Sequence, residues 1–388
     1  MHFRFPLATT SWDADELAAM QRVISTGIFT MGKEVKEFEH RFASYFGAKH
    51  AIMVNSGSSA NLLMTAALFY TSNQNLRLRR GDEIIVPSVG WSTTFFPLYQ
   101  YGLHLKFVDV NLDTLNYDIS ALKNAVTTKT RAIMIVNLLG NPNEFSEIED
   151  IASERRIILL EDNCESMGAS YKGKYCGTFG MLGSFSCFFS HHISTMEGGV
   201  IITSDEELYH ILLSLRSHGW TRNLPEQNCL TSGKLEDDFQ ESWRFILPGY
   251  NVRPTELSGA VGSEQLKKLP DIILGRRTNA SLLKTVLEDH PDIVTQSEVE
   301  TSSWFGFSLL IKPNSKLTRS ELVQKLSRLG FETRPIVSGN FTKKEVMRYL
   351  NYSISGTLKN AELIDSHGLF IGNHHYQMNE AMSCLSKL

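Results

Sequence analysis

Apolar residues recur at helical spacing over 12–26 and 33–46, with a glycine-bounded turn between them, Gly27-Ile28-Phe29-Thr30-Met31-Gly32. His50 to Val54 is a short, nearly continuous apolar run, the pattern of a buried strand, and it feeds Asn55-Ser56-Gly57-Ser58-Ser59 and a helix from Ala60 to Tyr70. Further strand patterns follow at 83–89, 105–110, 132–138 and 157–160, with helical patterns at 119–126 and 145–154 among them. That alternation predicts a predominantly parallel sheet with crossover helices. Ser184 to Val200 starts apolar and aromatic and ends in a glycine pair, so it predicts strand, polar turn, second strand. A helix is expected at 206–216, a polar loop at 223–242, a rigid turn at 248–254 and a helix at 255–268. From about residue 270 the pattern changes to helix (272–289), strand (303–311), helix (319–329) and a strand near 331–337. The expectation is an α/β chain: a large domain at 1–253, with a mostly parallel mixed sheet flanked by helices, and a smaller α+β domain at 254–388.

Composition narrows the function. The 388 residues are 42% hydrophobic and 21% charged, which suits one large domain and a smaller one. Net charge is −4 with no basic block, so charge suggests neither a nucleic-acid partner nor an anionic membrane. No apolar run approaches the roughly 20 residues that span a bilayer. The start, Met1-His2-Phe3-Arg4-Phe5-Pro6, lacks a signal-peptide core, and a cytoplasmic protein is expected. The five cysteines are odd in number and form no Cys-x-x-Cys pair, which supports no disulfide framework, zinc site or iron–sulfur cluster.

Four stretches carry candidate chemistry. Asn55 to Ser59 joins a strand to a helix N-terminus, where free N–H groups and the helix dipole favour a phosphate; the alternative is that Ser56 or Ser58 only caps the helix. It is neither a Gly-Lys-Ser/Thr phosphate loop nor a GxGxxG turn. Trp91 lies just past the carboxyl end of a strand, where open α/β sheets place ligands, and either stacks on a planar ring or packs in the core. Asp162 follows an apolar strand and needs a cation if it is buried. His191 and His192 sit in a turn between strands, either as hydrogen-bonded structural histidines or as chemistry. A planar, phosphorylated, cationic heterocycle satisfies all four features, and pyridoxal phosphate is such a molecule.

On these residues the chain resembles the vitamin B6-dependent nucleotide-sugar aminotransferases of fold type I, the DegT/StrS-like family. The matching motifs run nearly the whole chain in order: Asn55-Ser56-Gly57-Ser58, Pro87-Ser88-Val89-Gly90-Trp91, Glu161-Asp162-Asn163, Phe185-Ser186, Glu197-Gly198-Gly199 and Gly249-Tyr250-Asn251-Val252-Arg253. The resemblance implies that Gly57, Ser58 and Ser186 bind the cofactor phosphate, Trp91 stacks on the ring, Asp162 pairs with its nitrogen, and Glu165 belongs to the same site. It implies that Asn251 reaches the cofactor of a second subunit, so that a homodimer is the active unit. His218 and Arg253 are implied for glutamate, and Phe29, Thr30, Arg222 and Glu332 for the nucleotide sugar, with Glu332 accepting from a guanine.

One departure from the family pattern directs the function. The family's Schiff-base lysine falls six residues after the phenylalanine of Phe-Ser and six before Glu-Gly-Gly, and that position is His191; no lysine occurs between Lys174 and Lys234. An imidazole cannot tether the cofactor covalently, but it moves protons near neutral pH. The exchange is similar to a histidine-bearing branch of the family that acts on GDP-4-keto-6-deoxy-D-mannose in colitose formation. That branch implies pyridoxal and pyridoxamine phosphate held non-covalently, L-glutamate as amino donor, loss of the sugar's C3 hydroxyl, and release of 2-oxoglutarate and ammonia. The rival readings are an iron–sulfur CDP-sugar 3-dehydrase, a 4-aminotransferase lacking its lysine, and a binding protein that has lost activity.

Overall fold

The computed structural model describes residues 3–388. Strands β1 (His50–Val54), β2 (Glu83–Pro87), β3 (His104–Val108), β4 (Thr130–Val136) and β5 (Ile158–Asp162) lie within two residues of the apolar runs that announce them. A small hairpin, β6 (Ser170–Tyr171) and β7 (Lys174–Tyr175), precedes β8 (Leu182–Ser186) and β9 (Gly199–Thr203). The later strands are β10 (Ile293–Val294), β11 (Gly306–Ile311), β12 (Thr333–Arg334), β13 (Tyr352–Ile354) and β14 (Gly368–Gly372). The large sheet has the order β1-β9-β8-β5-β4-β2-β3-β13, and a four-stranded antiparallel sheet has the order β10-β11-β14-β12. In the large sheet every pairing from β8 to β13 is parallel, whereas β9 runs antiparallel to both β1 and β8.

Helices cover both faces of the large sheet, as parallel strands buried on two sides require. One face packs α3 (Gly57–Tyr70), α4 (Ser92–Gln100) and α7 (Glu206–Arg216) through side chains such as Leu63, Phe95 and Leu212. The other carries α5 (Ile119–Ala125) and α6 (Phe145–Arg155) through Leu122 and Ile148. Phe38 and Phe42 of α2 (Lys33–Phe46) share a further core with Phe185 of β8, and α1 (Ala14–Thr26) packs on the long helix described next.

The two helices expected at 255–268 and 272–289 are one, α9 (Glu256–Leu287), a helix of 32 residues with Pro270 inside it. Proline removes a backbone bond and disfavours helix in the residue before it. Buried Leu266 and Leu269 on one side of it and Ile272 and Ile273 on the other carry the helix through. The loop expected at 223–242 contains a single helical turn, α8 (Asp238–Glu241). Beyond 337 the sequence pattern assigned nothing, yet β13 extends the large sheet beside β3 and β14 is central in the small one. Helices α10 (Arg319–Arg328), α11 (Lys359–His367) and α12 (Asn379–Leu385) complete the C-terminal part.

The topology gathers the ends of β2, β5 and β8 with the start of α3. Gly199 makes this possible, because a Cβ there would run into the Ser56 carbonyl at the entrance to α3. Glu161, buried beside Asp162, accepts from the N–H groups of Gly177 (2.6 Å), Phe179 (2.7 Å) and Gly180 (2.7 Å) and so fixes the loop leading into β8. Burial pushes its pKa up to about 7 against the pull of those three donors. Gly199→Ala is expected to cost about 1–3 kcal/mol, the usual penalty for an overpacked interior position. Urea denaturation measures this, and an unchanged midpoint would show that the approach of β9 to Ser56 is not tight.

Candidate active site

The first wall of the site is the start of α3. Ser56 is its N-cap, with Oγ accepting from the Ser59 N–H at 3.0 Å. The N–H groups of Gly57 and Ser58 have no partner within the helix, and they sit at the positive end of its dipole. A Cβ on Gly57 would lie 2.7 Å from the Ser186 Cβ and 3.0 Å from the Cys164 Sγ, so only glycine lets these three segments meet. The Ser58 hydroxyl donates to Thr93 Oγ1 at 2.9 Å, and Ser186 Oγ accepts from the Phe188 N–H at 3.3 Å. This wall is a set of hydroxyls and free N–H groups around a helix terminus, which suits a phosphate.

Asp162, at the end of β5, is only 5% exposed. Sequence reasoning expected it to meet a cation, and the structure corrects this: no ion pair involves it among the described residues. Its Oδ2 accepts from Asn61 Nδ2 (2.8 Å) and Thr94 Oγ1 (2.7 Å), and its Oδ1 from the Cys164 N–H (3.1 Å). Asn61 is held by the Ser184 hydroxyl, which donates to its Oδ1 at 2.6 Å. Neutral donors satisfy a buried carboxylate only in part, and this one borders a cavity that a cationic ring could enter.

The third wall is the turn between β8 and β9. The Cys187 N–H donates to the Gly198 carbonyl at 2.9 Å, and the Thr195 N–H to the Cys187 carbonyl at 2.9 Å. Met196, at φ +68°, takes a left-handed conformation unusual for a non-glycine residue. His191 borders the cavity, while its Nδ1 is enclosed and has no hydrogen-bond partner. Burial, helped by the charges of Arg334 and Arg276, pushes its pKa down to about 3, so the imidazole is neutral. His192 does not line the cavity; it is buried, and its Nε2 meets the Ser303 carbonyl at 3.1 Å. It is an anchor for the turn, which the sequence left open.

These walls enclose a cavity of about 350 Å³. Of the residues expected from the sequence, Gly57, Ser58, Trp91, Asp162, Glu165, Ser186 and His191 all line it. Trp91 is 54% exposed and is therefore no core residue. Glu165 accepts from the Leu139 N–H at 3.1 Å and lies 3.7 Å from Arg334; burial raises its pKa and Arg334 opposes the rise. The remaining expected residues line no part of this cavity. Asn251, His218 and Arg253 form a cluster of their own: Arg253 Nε donates to Asn251 Oδ1 at 2.9 Å, and Arg253 Nη2 lies 3.5 Å from His218 Nε2. Arg222 rests over the Trp220 ring at 4.3 Å and donates to the Ser242 carbonyl at 2.9 Å. Phe29 is exposed, Thr30 is bridged to Thr255, and Glu332 accepts from the Leu7 N–H at 2.9 Å.

Sequence reasoning missed Asn61, Thr94, Cys164, Phe305 and Arg334, all of which line the cavity. Asn61 was findable, being one helical turn after Gly57 and so on the same face. Arg334 lies in β12 of the small sheet and Phe305 immediately precedes its strand β11, and no local pattern connects them to this site. No lysine lines the cavity, and no group of three or more His, Cys, Asp or Glu among the described residues is placed to hold a metal ion. A phosphorylated pyridine fits what is present: free N–H groups for the phosphate, an indole for the ring face, and a cation-less carboxylate for the ring nitrogen.

Comparisons with known proteins agree with this geometry. The model of the DegT/DnrJ/EryC1/StrS aminotransferase family matches residues 10–383. The chain is 58% identical over 382 residues to a GDP-4-keto-6-deoxy-D-mannose 3-dehydratase of Yersinia pseudotuberculosis, covering 98% of this chain and 97% of that protein. Among solved structures, the E. coli GDP-4-keto-6-deoxy-D-mannose-3-dehydratase with bound hydrated PLP superposes with a TM-score of 0.98 at 55% identity, over 100% of this chain and 99% of the other. A GDP-4-keto-6-deoxymannose-3-dehydratase structure with a trapped PLP-glutamate geminal diamine gives 0.97 at 55% identity, over 99% of each chain.

The buried neutral histidines couple folding to pH. The His192 pKa lies well below its ordinary value in the folded chain, through burial first and then Arg276. Below about pH 6.5 the unfolded chain takes up a proton there that the folded one refuses, so its contribution to stability is lost as pH falls. His192→Gln keeps a donor for Ser303 but cannot titrate. The stability of wild type relative to this variant should fall by about 1 kcal/mol per pH unit from 6.5 to 5, as one linked proton requires. Urea melts across that range test it, and a pH-independent difference would mean that His192 is not held neutral.

Proposed function

This chain belongs to the DegT/DnrJ/EryC1/StrS aminotransferase family, and within it we propose a pyridoxal/pyridoxamine phosphate-dependent dehydratase. It removes the C3 hydroxyl of GDP-4-keto-6-deoxy-D-mannose with L-glutamate as amino donor. The products are the 4-keto-3,6-dideoxy sugar, 2-oxoglutarate and ammonia; the sugar loses one oxygen atom, which 2-oxoglutarate gains. The reaction belongs to deoxysugar biosynthesis, and we place it in the cytoplasm. The observation that carries the reading is a neutral histidine in a lysine-free cavity beside a buried carboxylate that lacks a cation.

When bound, the cofactor carries the amino group and takes up the electron pair released next to its ring. Each residue has a task that its surroundings support. The N–H groups of Gly57 and Ser58, with the hydroxyls of Ser58 and Ser186, hold the phosphate. Trp91 covers the ring, and Asp162 keeps a proton on the ring nitrogen. His191, neutral and with Nδ1 enclosed, accepts a proton on Nε2. It cannot bond covalently to the cofactor as a lysine does, so the amino group is released as ammonia rather than left on the sugar. Arg334 adds positive charge beside Glu165 at the same wall.

His218, Arg253 and Asn251 lie together outside their own chain's cavity. We propose that they enter the cavity of a second copy, with His218 and Arg253 on the glutamate carboxylates and Asn251 on the phosphate. Arg222, Phe29, Thr30 and Glu332 would meet the GDP-sugar, Arg222 at its phosphates. We place the boundary between the two parts of the chain at 253/254, with β13 returning across it to the large sheet.

Two experiments test the reading. Mass spectrometry of the products from GDP-4-keto-6-deoxy-D-mannose and glutamate should find a nucleotide sugar lighter by one oxygen, with ammonia released; an amino sugar without ammonia would make the enzyme an aminotransferase. His191→Asn and Arg253→Ala, each inactive alone, should recover about a quarter of wild-type turnover when their subunits are mixed, since half the dimers then hold one intact shared site. No recovery would place Arg253 in its own chain's site.

A further inference from the structure

His191 lacks the device that usually aims a working histidine. Such a ring is ordinarily oriented by a hydrogen bond from its second nitrogen to a carboxylate or carbonyl. Among the described residues Nδ1 has no partner, and the one hydrogen bond recorded for His191 is made by its backbone N–H, to the Phe188 carbonyl at 2.9 Å. Two aromatic rings do touch it. The Phe305 centroid lies 5.1 Å away at 44°, and Phe188 meets it edge-on at 6.0 Å and 72°. Phe188 is exposed, whereas Phe305 is 6% exposed.

Phe305 is itself unusually well held. Its N–H donates to the Leu139 carbonyl at 2.9 Å, and its carbonyl accepts from Arg276 Nη1 at 2.7 Å. Arg276 is buried in α9, has no carboxylate partner among the described residues, and also binds the Asn373 carbonyl at 2.8 Å. Two residues before Phe305, the Ser303 carbonyl meets His192 Nε2, which ties this segment to the histidine turn directly. Trp304 between them has φ +48°, a left-handed conformation that the surrounding bonds must enforce. Behind Phe305, the Phe370 ring stacks at 6.0 Å and 30°, and the Arg334 guanidinium lies 4.5 Å from the Phe370 ring centroid. A rigid wedge thus reaches from the small sheet to the face of the imidazole.

We propose that Phe305 is a positioning residue for His191, and that ring packing against a clamped backbone, instead of a hydrogen bond, aims the imidazole into the cavity. The inference rests on His191 being the group that moves the proton. It assigns the 303–305 segment a role in the chemistry that its distance in sequence conceals.

The test compares Phe305→Leu with Phe305→Tyr in the full-length enzyme. Misaiming a catalytic group by an ångström costs up to about 100-fold, so Phe305→Leu should lower kcat by about 10- to 100-fold while KM for the GDP-sugar stays within about twofold. Phe305→Tyr, which keeps the ring, should stay within about threefold of wild type in kcat. Diethylpyrocarbonate modification of His191, followed by peptide mass spectrometry without substrate, should be faster in Phe305→Leu than in wild type, because the ring is no longer pinned. Unchanged modification, or a Tyr variant as impaired as the Leu variant, overturns the inference. So does faster modification with unaltered kcat. Failure of the base assignment shows separately, as full turnover in His191→Asn, and needs no Phe305 variant.

Discussion

A carboxylate nearly enclosed by protein, with no cation of its own, is the constraint around which this site is built. Burying an unpaired charge costs several kcal/mol unless hydrogen bonds or a counter-ion offset it. Asp162 receives three neutral donors, from Asn61, Thr94 and the Cys164 backbone. A carboxylate can accept about four. The arrangement is stable enough to fold and still favours a positive ring at the open side. The donors come from the second turn of α3, the first turn of α4 and the segment after β5, so the same contacts hold three elements in register.

The charge distribution then decides what the opposite wall can do. Arg276 and Arg334 both raise the cost of a positive charge on His191, as does its burial. A histidine so placed is neutral in the resting site and ready to accept a proton. A lysine at that position would be a nucleophile and a tether; the imidazole is neither. On the proposed reading, one side chain redirects the chemistry of the family, while the N–H groups and hydroxyls at the start of α3, the indole and the carboxylate stay where the fold puts them.

Much of this was legible in the sequence, for identifiable reasons. The strand–turn–helix at 50–70 and the apolar runs of β2 to β5 are local patterns, and Asp162 and Trp91 follow from their position at strand ends, whereas Ser186 came only with the family resemblance. His191 stood out because a fixed spacing from Phe185 and Glu197 placed it in a known slot. What was not legible depends on tertiary contact. Pro270 argued for a helix break that buried side chains on either side override. Arg334 and Phe305 reach the cavity only because a second sheet packs there: β12 falls within the strand expected near 331–337, but nothing local ties it to this site, and β13, at three residues, is too short to announce itself. The cation expected beside Asp162 was a sound inference from burial, but it looked for the charge in the protein.

The central claim is that the cofactor is held without a covalent bond to the chain, because no lysine lines the cavity. Borohydride reduction of the pyridoxal phosphate-loaded enzyme, followed by intact-mass measurement, tests it most directly. The account predicts a chain of unchanged mass, with the reduced cofactor free in the small-molecule fraction. A chain heavier by one reduced pyridoxyl phosphate, mapped to any lysine, would contradict it.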